Sequence, residues 1–162
     1  RSALLSVSKG VVASYVHNAV APGMGKIGIL VGIETDGDAA KAEAFGKQIA
    51  MHIAAARPDA LTTAEVDAAK LDRERAVYRE QALASGKPAD VVEKMRKYYE
   101  EVVLMEQLFV VDGKTKINQV VADAAATVGA NVKLTGFISY RLGEGIEKAT
   151  SDFAAEVAAM SA

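Results

Sequence analysis

Among the 162 residues, the side chains that could do chemistry are few: His17 and His52, the acids Asp36, Asp38 and Glu144, and the glycine-flanked string GEGIEK over residues 143–148. In the two most distinctive segments, residues 25–58 and 143–157, the acids and the histidine are not accompanied by a nucleophile with its base, by clustered metal ligands, or by a phosphate loop. A metal shared by His17 and His52 would need further ligands that the spacing does not supply. GEGIEK does not make a phosphate cradle. Such a loop offers backbone N–H groups and usually a lysine, whereas Glu144 would repel the anion, so the string reads as a turn. His52 shares a helical face with Phe45, Ile49 and Ala56, and on residues alone it reads as a packed, satisfied histidine. These residues point to a protein that works by touching another. No catalytic residue, metal or cofactor is expected.

The elements that position these residues follow from periodicity. Residues 10–18, GVVASYVHN, are rich in β-branched and aromatic side chains, and KIGILVGIE follows after the turn residues Pro22, Gly23 and Gly25, so two antiparallel strands are predicted. Asp36, Gly37 and Asp38 then open a helix with Phe45, Ile49, His52, Ile53 and Ala56 on one face, stopped by Arg57 and Pro58. In the middle, Thr62 and Glu65 fit a capping box, Gly86 a C′ glycine and Pro88 a first turn. An antiparallel hairpin is predicted from helices over 65–85 and 88–107, with Val66, Leu71, Val77 and Leu83 facing Val91, Met95, Tyr98, Val102 and Met105. Tyr98 and Tyr99 read as packing with one exposed phenol. A third helix carries Ile117, Val120, Val121 and Ala124 and closes at Gly129. Alternation of Val132, Leu134, Ile138, Tyr140 and Leu142 marks a half-buried strand, with Gly136 a bulge candidate. Phe153 and Val157, four apart, predict a short amphipathic helix at the end.

Strands followed by helices thus occur on both sides of the hairpin. The predicted class is α+β: two related lobes with small antiparallel sheets and packed helices, a projecting helical hairpin and a short C-terminal helix; a single α+β domain is the competing layout. The expected division is 1–60 for a first lobe, 61–107 for the hairpin with its supporting helices, 108–145 for a second lobe and 146–162 for a C-terminal module.

Composition agrees with a folded chain, at 51% hydrophobic and 25% charged. A net charge of -2 supplies no broad field for nucleic acid or acidic membrane. Absence of cysteine removes disulfides and thiolates and fits a reducing interior, cytoplasm or organelle. No run approaches the roughly 18 to 20 apolar residues of a membrane span, and the opening RSALLSVSKG is too short in apolar residues for a secretory signal. The start at Arg1 rather than methionine is expected of a piece of something longer.

The strings GKIGILV, KQIAMHIAA, REQALASGKP, RKYYEEVVLMEQLFV, GEGIEK and SDFAAEVAAM, in this order, resemble bacterial-type translation elongation factor Ts over essentially the whole chain. The resemblance implies a guanine-nucleotide exchange factor that embraces the GTPase elongation factor Tu and binds its nucleotide-free form best. By linkage, nucleotide then weakens factor binding by the same ratio. It implies no hydrolytic catalysis, no direct nucleotide binding, and a possible homodimer or heterotetramer. By the family pattern, Lys26, Ile27 and Gly28 match a strand edge lying against the GTPase, where glycine permits close backbone approach. Met51 and His52 match the family's helix histidine and its neighbour, which the resemblance turns from packed to partner-contacting. Phe153, Val157 and Met160 match a C-terminal module implied to dock, at least in part, on the partner.

Two departures from the family pattern set further expectations. The family's amino-terminal helical domain and its threonine-aspartate-phenylalanine wedge are not found within these residues, and Asp152 with Phe153 is not that wedge. Weaker binding and poor exchange are therefore expected of this chain. Between Met95 and Arg96 the family carries about five more residues, whose removal rotates the remainder of the helix by about 140°; either the second arm is rebuilt, or residues are missing there while the numbering runs on, which is the expectation. The alternative function is a scaffold that self-associates through its hairpin. A nucleotide-binding regulatory domain is a third option that no loop in the sequence supports.

Overall fold

The computed structural model describes residues 2–86 and 90–145. Strands β1 (Gly10–His17) and β2 (Ile27–Thr35) are followed by α1 (Ala39–Ala56), α2 (Ala68–Ser85), α3 (Asp90–Val102), α4 (Ile117–Val128) and β3 (Val132–Arg141). The α+β class is as predicted. The strands expected in separate lobes, however, form one antiparallel sheet of order β1-β2-β3, so β3 from the far side of the hairpin lies beside β2. The reason is in β2 itself. Its residues Ile29, Val31 and Ile33 are at most 2% exposed, and a strand this apolar needs a neighbour on both edges and a cover on its face.

That cover is α1. Asp38 accepts the Lys41 amide at 3.0 Å to start the helix, and Arg57, left-handed at φ 55°, ends it by donating its N–H to the Ile53 carbonyl, with Pro58 barring continuation. Gly46 sets the approach of helix to sheet. A Cβ there would stand 2.5 Å from the Ala13 Cβ and 2.7 Å from Ile33 Cδ1. Ile49 and Ile53 of α1, Ile117 and Val121 of α4, and Leu134 of β3 complete the core with the three β2 residues. Each fully buried aliphatic side chain contributes about 1.5–3 kcal/mol.

β3 departs from its predicted single apolar face. Gly32 pairs with Gly136 but Ile33 pairs with Leu134, leaving Thr135 as the extra residue of a bulge beside the glycine singled out in the sequence. Val132 and Leu134 therefore face α1 and α4, whereas Ile138 and Tyr140 fall on the opposite face with Leu30. Leu5 and Val7 approach that opposite face at Gly32, and Leu5 also at Gly136.

The hairpin forms with a different inner stripe. Leu71, Glu74, Tyr78 and Ala82 are the least exposed residues of α2, while Val77 and Leu83, expected inside, are 45% and 83% exposed. Helical spacing explains the correction: 71, 74, 78 and 82 advance by three or four, whereas 71 to 77 and 77 to 83 advance by six and cross the helix. α2 also starts at Ala68, capped by Asp67 accepting the Lys70 amide at 2.8 Å. The Thr62–Glu65 pair closes a 3₁₀ turn instead, with the Glu65 carboxylate accepting from the Leu61 amide at 3.2 Å and from the Thr62 hydroxyl at 3.1 Å. Gly86 ends α2 in the left-handed conformation as predicted. α3 runs unbroken through Met95 and Arg96 with Met95 buried, so with these residues the second arm is one continuous helix. It ends at Val102; Leu104–Glu106 is a separate 3₁₀ turn, earlier than the predicted end at 107.

Candidate functional site

The amino-terminal end of β2 and the carboxy-terminal third of α1 meet at one end of the molecule. They are strapped together by a residue that no sequence motif singles out. Arg141, the last residue of β3, is paired with Ile27 in the sheet, and its Nη2 donates to the Ala54 carbonyl near the end of α1 at 2.7 Å. A guanidinium at a helix carboxyl end satisfies an orphan carbonyl and faces the negative end of the dipole. A motif search could have found it only by knowing that β3 lies beside β2.

Lys26 is exposed and Ile27 half-buried against the core. The strand-edge expectation for Ile27 and Gly28 is corrected: β2 is the central strand, Gly28 being paired with Val16 on one side and Tyr140 on the other. What is accessible is its face. A Cβ built on Gly28 meets no atom within 4 Å, so the glycine leaves open, flat ground. It forms part of a shallow groove of about 510 Å³ whose walls include Lys26, Tyr140, Arg141 and Leu142. Leu142 is 80% and Tyr140 36% exposed, which gives the groove an apolar rim beside Lys26 and Glu144, while the Arg141 guanidinium is taken by the Ala54 carbonyl.

Met51 is 47% exposed on α1, but its neighbour His52 is 0% exposed. The partner-facing orientation expected from the resemblance is not the one this conformation holds. The Val110 N–H donates to His52 Nδ1 at 3.2 Å, and since an amide can only donate, the ring proton sits on Nε2, which donates to Gln107 Oε1 at 2.8 Å. Phe109 lies against the ring with centroids 6.0 Å apart. Burial holds the imidazole below its ordinary value of 6.5, only partly opposed by the Gln107 hydrogen bond, and the neutral tautomer is the one the network needs. This is the satisfied core histidine that the residue pattern alone suggested. Burial of Gln107 itself, 4% exposed, was not anticipated.

His17 Nδ1 and the Tyr15 hydroxyl are hydrogen-bonded at 2.9 Å. Among the described residues there is no group of three or more histidine, cysteine or acidic side chains placed to hold a metal. No helix among them is long and apolar enough to cross a membrane. Glu144 stands in a turn after β3, its amide donating to the Arg141 carbonyl at 3.1 Å. Phe153, Val157 and Met160 lie outside the described residues.

Comparison with known proteins gives this geometry a context. The family described as Elongation factor TS matches residues 1–144. Elongation factor Ts of Rhodospirillum centenum is 63% identical over 166 residues, covering 99% of this chain and 54% of that protein. Those of Rhodospirillum rubrum and Brucella anthropi are 58% and 55% identical, covering 98% of this chain and 53% and 54% of their own lengths. The chain thus spans about half the length of these relatives. With the family match extending over the sheet, α1, the hairpin and β3, the chain belongs to the elongation factor Ts family.

Proposed function

We propose that this chain is the partner-binding part of a guanine-nucleotide exchange factor for the translation GTPase elongation factor Tu, acting in protein synthesis in the bacterial cytoplasm. The observation that carries the reading is the open ground at Gly28 beside Lys26, on the sheet face away from α1; Met51, exposed on α1, is a separate contact. A flat glycine surface admits a partner's backbone, Lys26 can hold an acidic group beside it, and the exposed methionine adapts to an apolar pocket. The chain itself performs no bond chemistry in this reading. It speeds GDP release by binding the nucleotide-free GTPase better than the loaded one. Phe153, Val157 and Met160 would add a second contact. The 162 residues contain no threonine-aspartate-phenylalanine run, so binding with weak exchange is expected of them.

Release of labelled GDP from elongation factor Tu, with and without the chain, tests this alongside capture under magnesium chelation. Capture with slow release supports the reading; no capture by a demonstrably folded chain refutes it. One observation favours a second reading, self-association through the hairpin: Val77, Leu83 and Val92 are 45%, 83% and 76% exposed on its outer faces. A mass that rises with concentration, and falls back when Leu83 is changed to Lys, would bring that reading forward.

A further inference from the structure

The buried pair His52 and Gln107 does more than satisfy itself. Gln107 Nε2 donates to the Glu101 carbonyl at 2.6 Å, and Glu101 is the penultimate residue of α3. Its side chain thus caps the carboxyl end of the hairpin's second arm, where helix carbonyls lack intrahelical partners. The neighbouring carbonyls are taken by backbone: Tyr99 by the Val103 amide at 2.9 Å, and Val102 by the Asp59 and Ala60 amides at 2.8 and 3.1 Å. One continuous chain of bonds therefore runs from the Val110 amide through the imidazole and the carboxamide to the base of the hairpin. The imidazole in it sits next to Met51, which is exposed at the candidate site.

We propose that Gln107 is a positioning residue that couples the surface at Met51 to the hairpin, because the His52 ring cannot turn outward toward a partner without releasing Gln107 and, through it, Glu101. The coupling is a property of the free chain; only the identity of the partner rests on the exchange-factor reading. The carboxamide orientation leaves no alternative partner arrangement. Its oxygen must face the imidazole N–H and its nitrogen the Glu101 carbonyl, so the two bonds stand or fall with one rotamer.

The test is native-state amide exchange on the free chain carrying His52→Phe, Gln107→Met, or both. Loss of a buried hydrogen bond should speed exchange at residues 98–101 by about tenfold, while amides of β2 and the middle of α1 change less than about twofold. The double variant should add nothing further, since either change breaks the same chain. Equal acceleration throughout the core, no acceleration at 98–101, or additive effects would each overturn the coupling. Should Gln107→Met fail to fold, Gln107→Glu serves: it keeps an acceptor for His52 but loses the donor to Glu101, so 98–101 alone should be released. Affinity for nucleotide-free elongation factor Tu supplies the readout that a merely structural residue would not give. Gln107→Met leaves the ring without its acceptor and should bind tighter than the wild-type chain, up to about tenfold; unchanged or weaker binding overturns the link to the surface. A wild-type chain that does not bind at all would refute the exchange-factor reading instead, and the free-chain cycle would still decide the coupling.

Discussion

At the scale of single residues, His52 shows how burial converts a candidate contact into a pH-dependent structural element. Its folded-state value is depressed, so below the ordinary value of 6.5 the unfolded chain takes up a proton that the folded chain refuses. Stability from this residue is therefore complete above that pH and falls as the pH drops from 6.5 toward the folded value, with a slope of at most about 1.4 kcal/mol per pH unit. Urea denaturation at successive pH values should show this slope in the wild-type chain and lose it in His52→Phe. An unchanged slope would mean that the ring is not held neutral. Gly28 poses the opposite case, a position where nothing in the fold objects to a side chain. Gly28→Val should leave the melting transition in place, or stabilise the strand by less than about 1 kcal/mol, yet weaken capture of the GTPase by at least about tenfold because the isopropyl group occupies the ground a partner's backbone would use. Undiminished capture would remove Gly28 from the contact surface.

The elements show which physical signals a sequence carries and which it does not. Local signals read true: Asp36–Asp38 before α1, Arg57–Pro58 after it, Gly86 and Gly129 at helix ends, all of which act within one turn of chain. The face of an element is decided elsewhere. Thr135 bulges opposite Gly32 of another strand, and that single residue sends Ile138 and Tyr140 to the face opposite Leu134, which no alternation count within β3 can reveal. Likewise the tie of Arg141 to Ala54 and of His52 to Gln107 spans 87 and 55 residues, and the candidate site is legible in sequence only as segments, not as a surface. Gly46 tests this long-range layer. In an isolated helix, alanine would be better than glycine by about 1 kcal/mol, but here its methyl would meet Ala13 and Ile33 within 2.7 Å. The overlap wins, since forcing a methyl into a packed contact costs about 1–3 kcal/mol. Gly46→Ala should therefore lower the denaturation midpoint, and a rise would show that α1 can lift from the sheet at little cost.

For the whole molecule, the question is whether the hairpin is part of the cooperative unit or an appendage to it. Among the described residues, the core cluster includes Leu61 and Leu104 but no side chain from 62–103, and the two flanks are already tied by a parallel bridge between Ala60 and Val103. The bonds that tie them are backbone bonds of residues 59–61 to residues 102–105, which do not depend on the arms beyond. The ion pairs along the arms, such as Arg96 with Glu100 at 2.8 Å and Lys97 with Glu93 at 3.2 Å, are intrahelical and exposed on at least one side, worth a few tenths of a kcal/mol each. Because the flanks run parallel, a replacement must return from beyond one strand-like segment to the start of the other, and a Gly/Ser linker of about eight residues, with a root-mean-square reach of about 15 Å, does so. Exchanging residues 66–98 for such a linker should leave a single cooperative thermal transition, while helical circular dichroism falls by the two lost arms. Slowest amide exchange should stay in β2 and α1, the elements with the most fully buried side chains. Loss of the cooperative transition would mean that α2 and α3 hold the core together from outside it. Its retention would leave the hairpin free to act as a lever whose foot is the Ala60–Val103 bridge and whose position is set by Gln107.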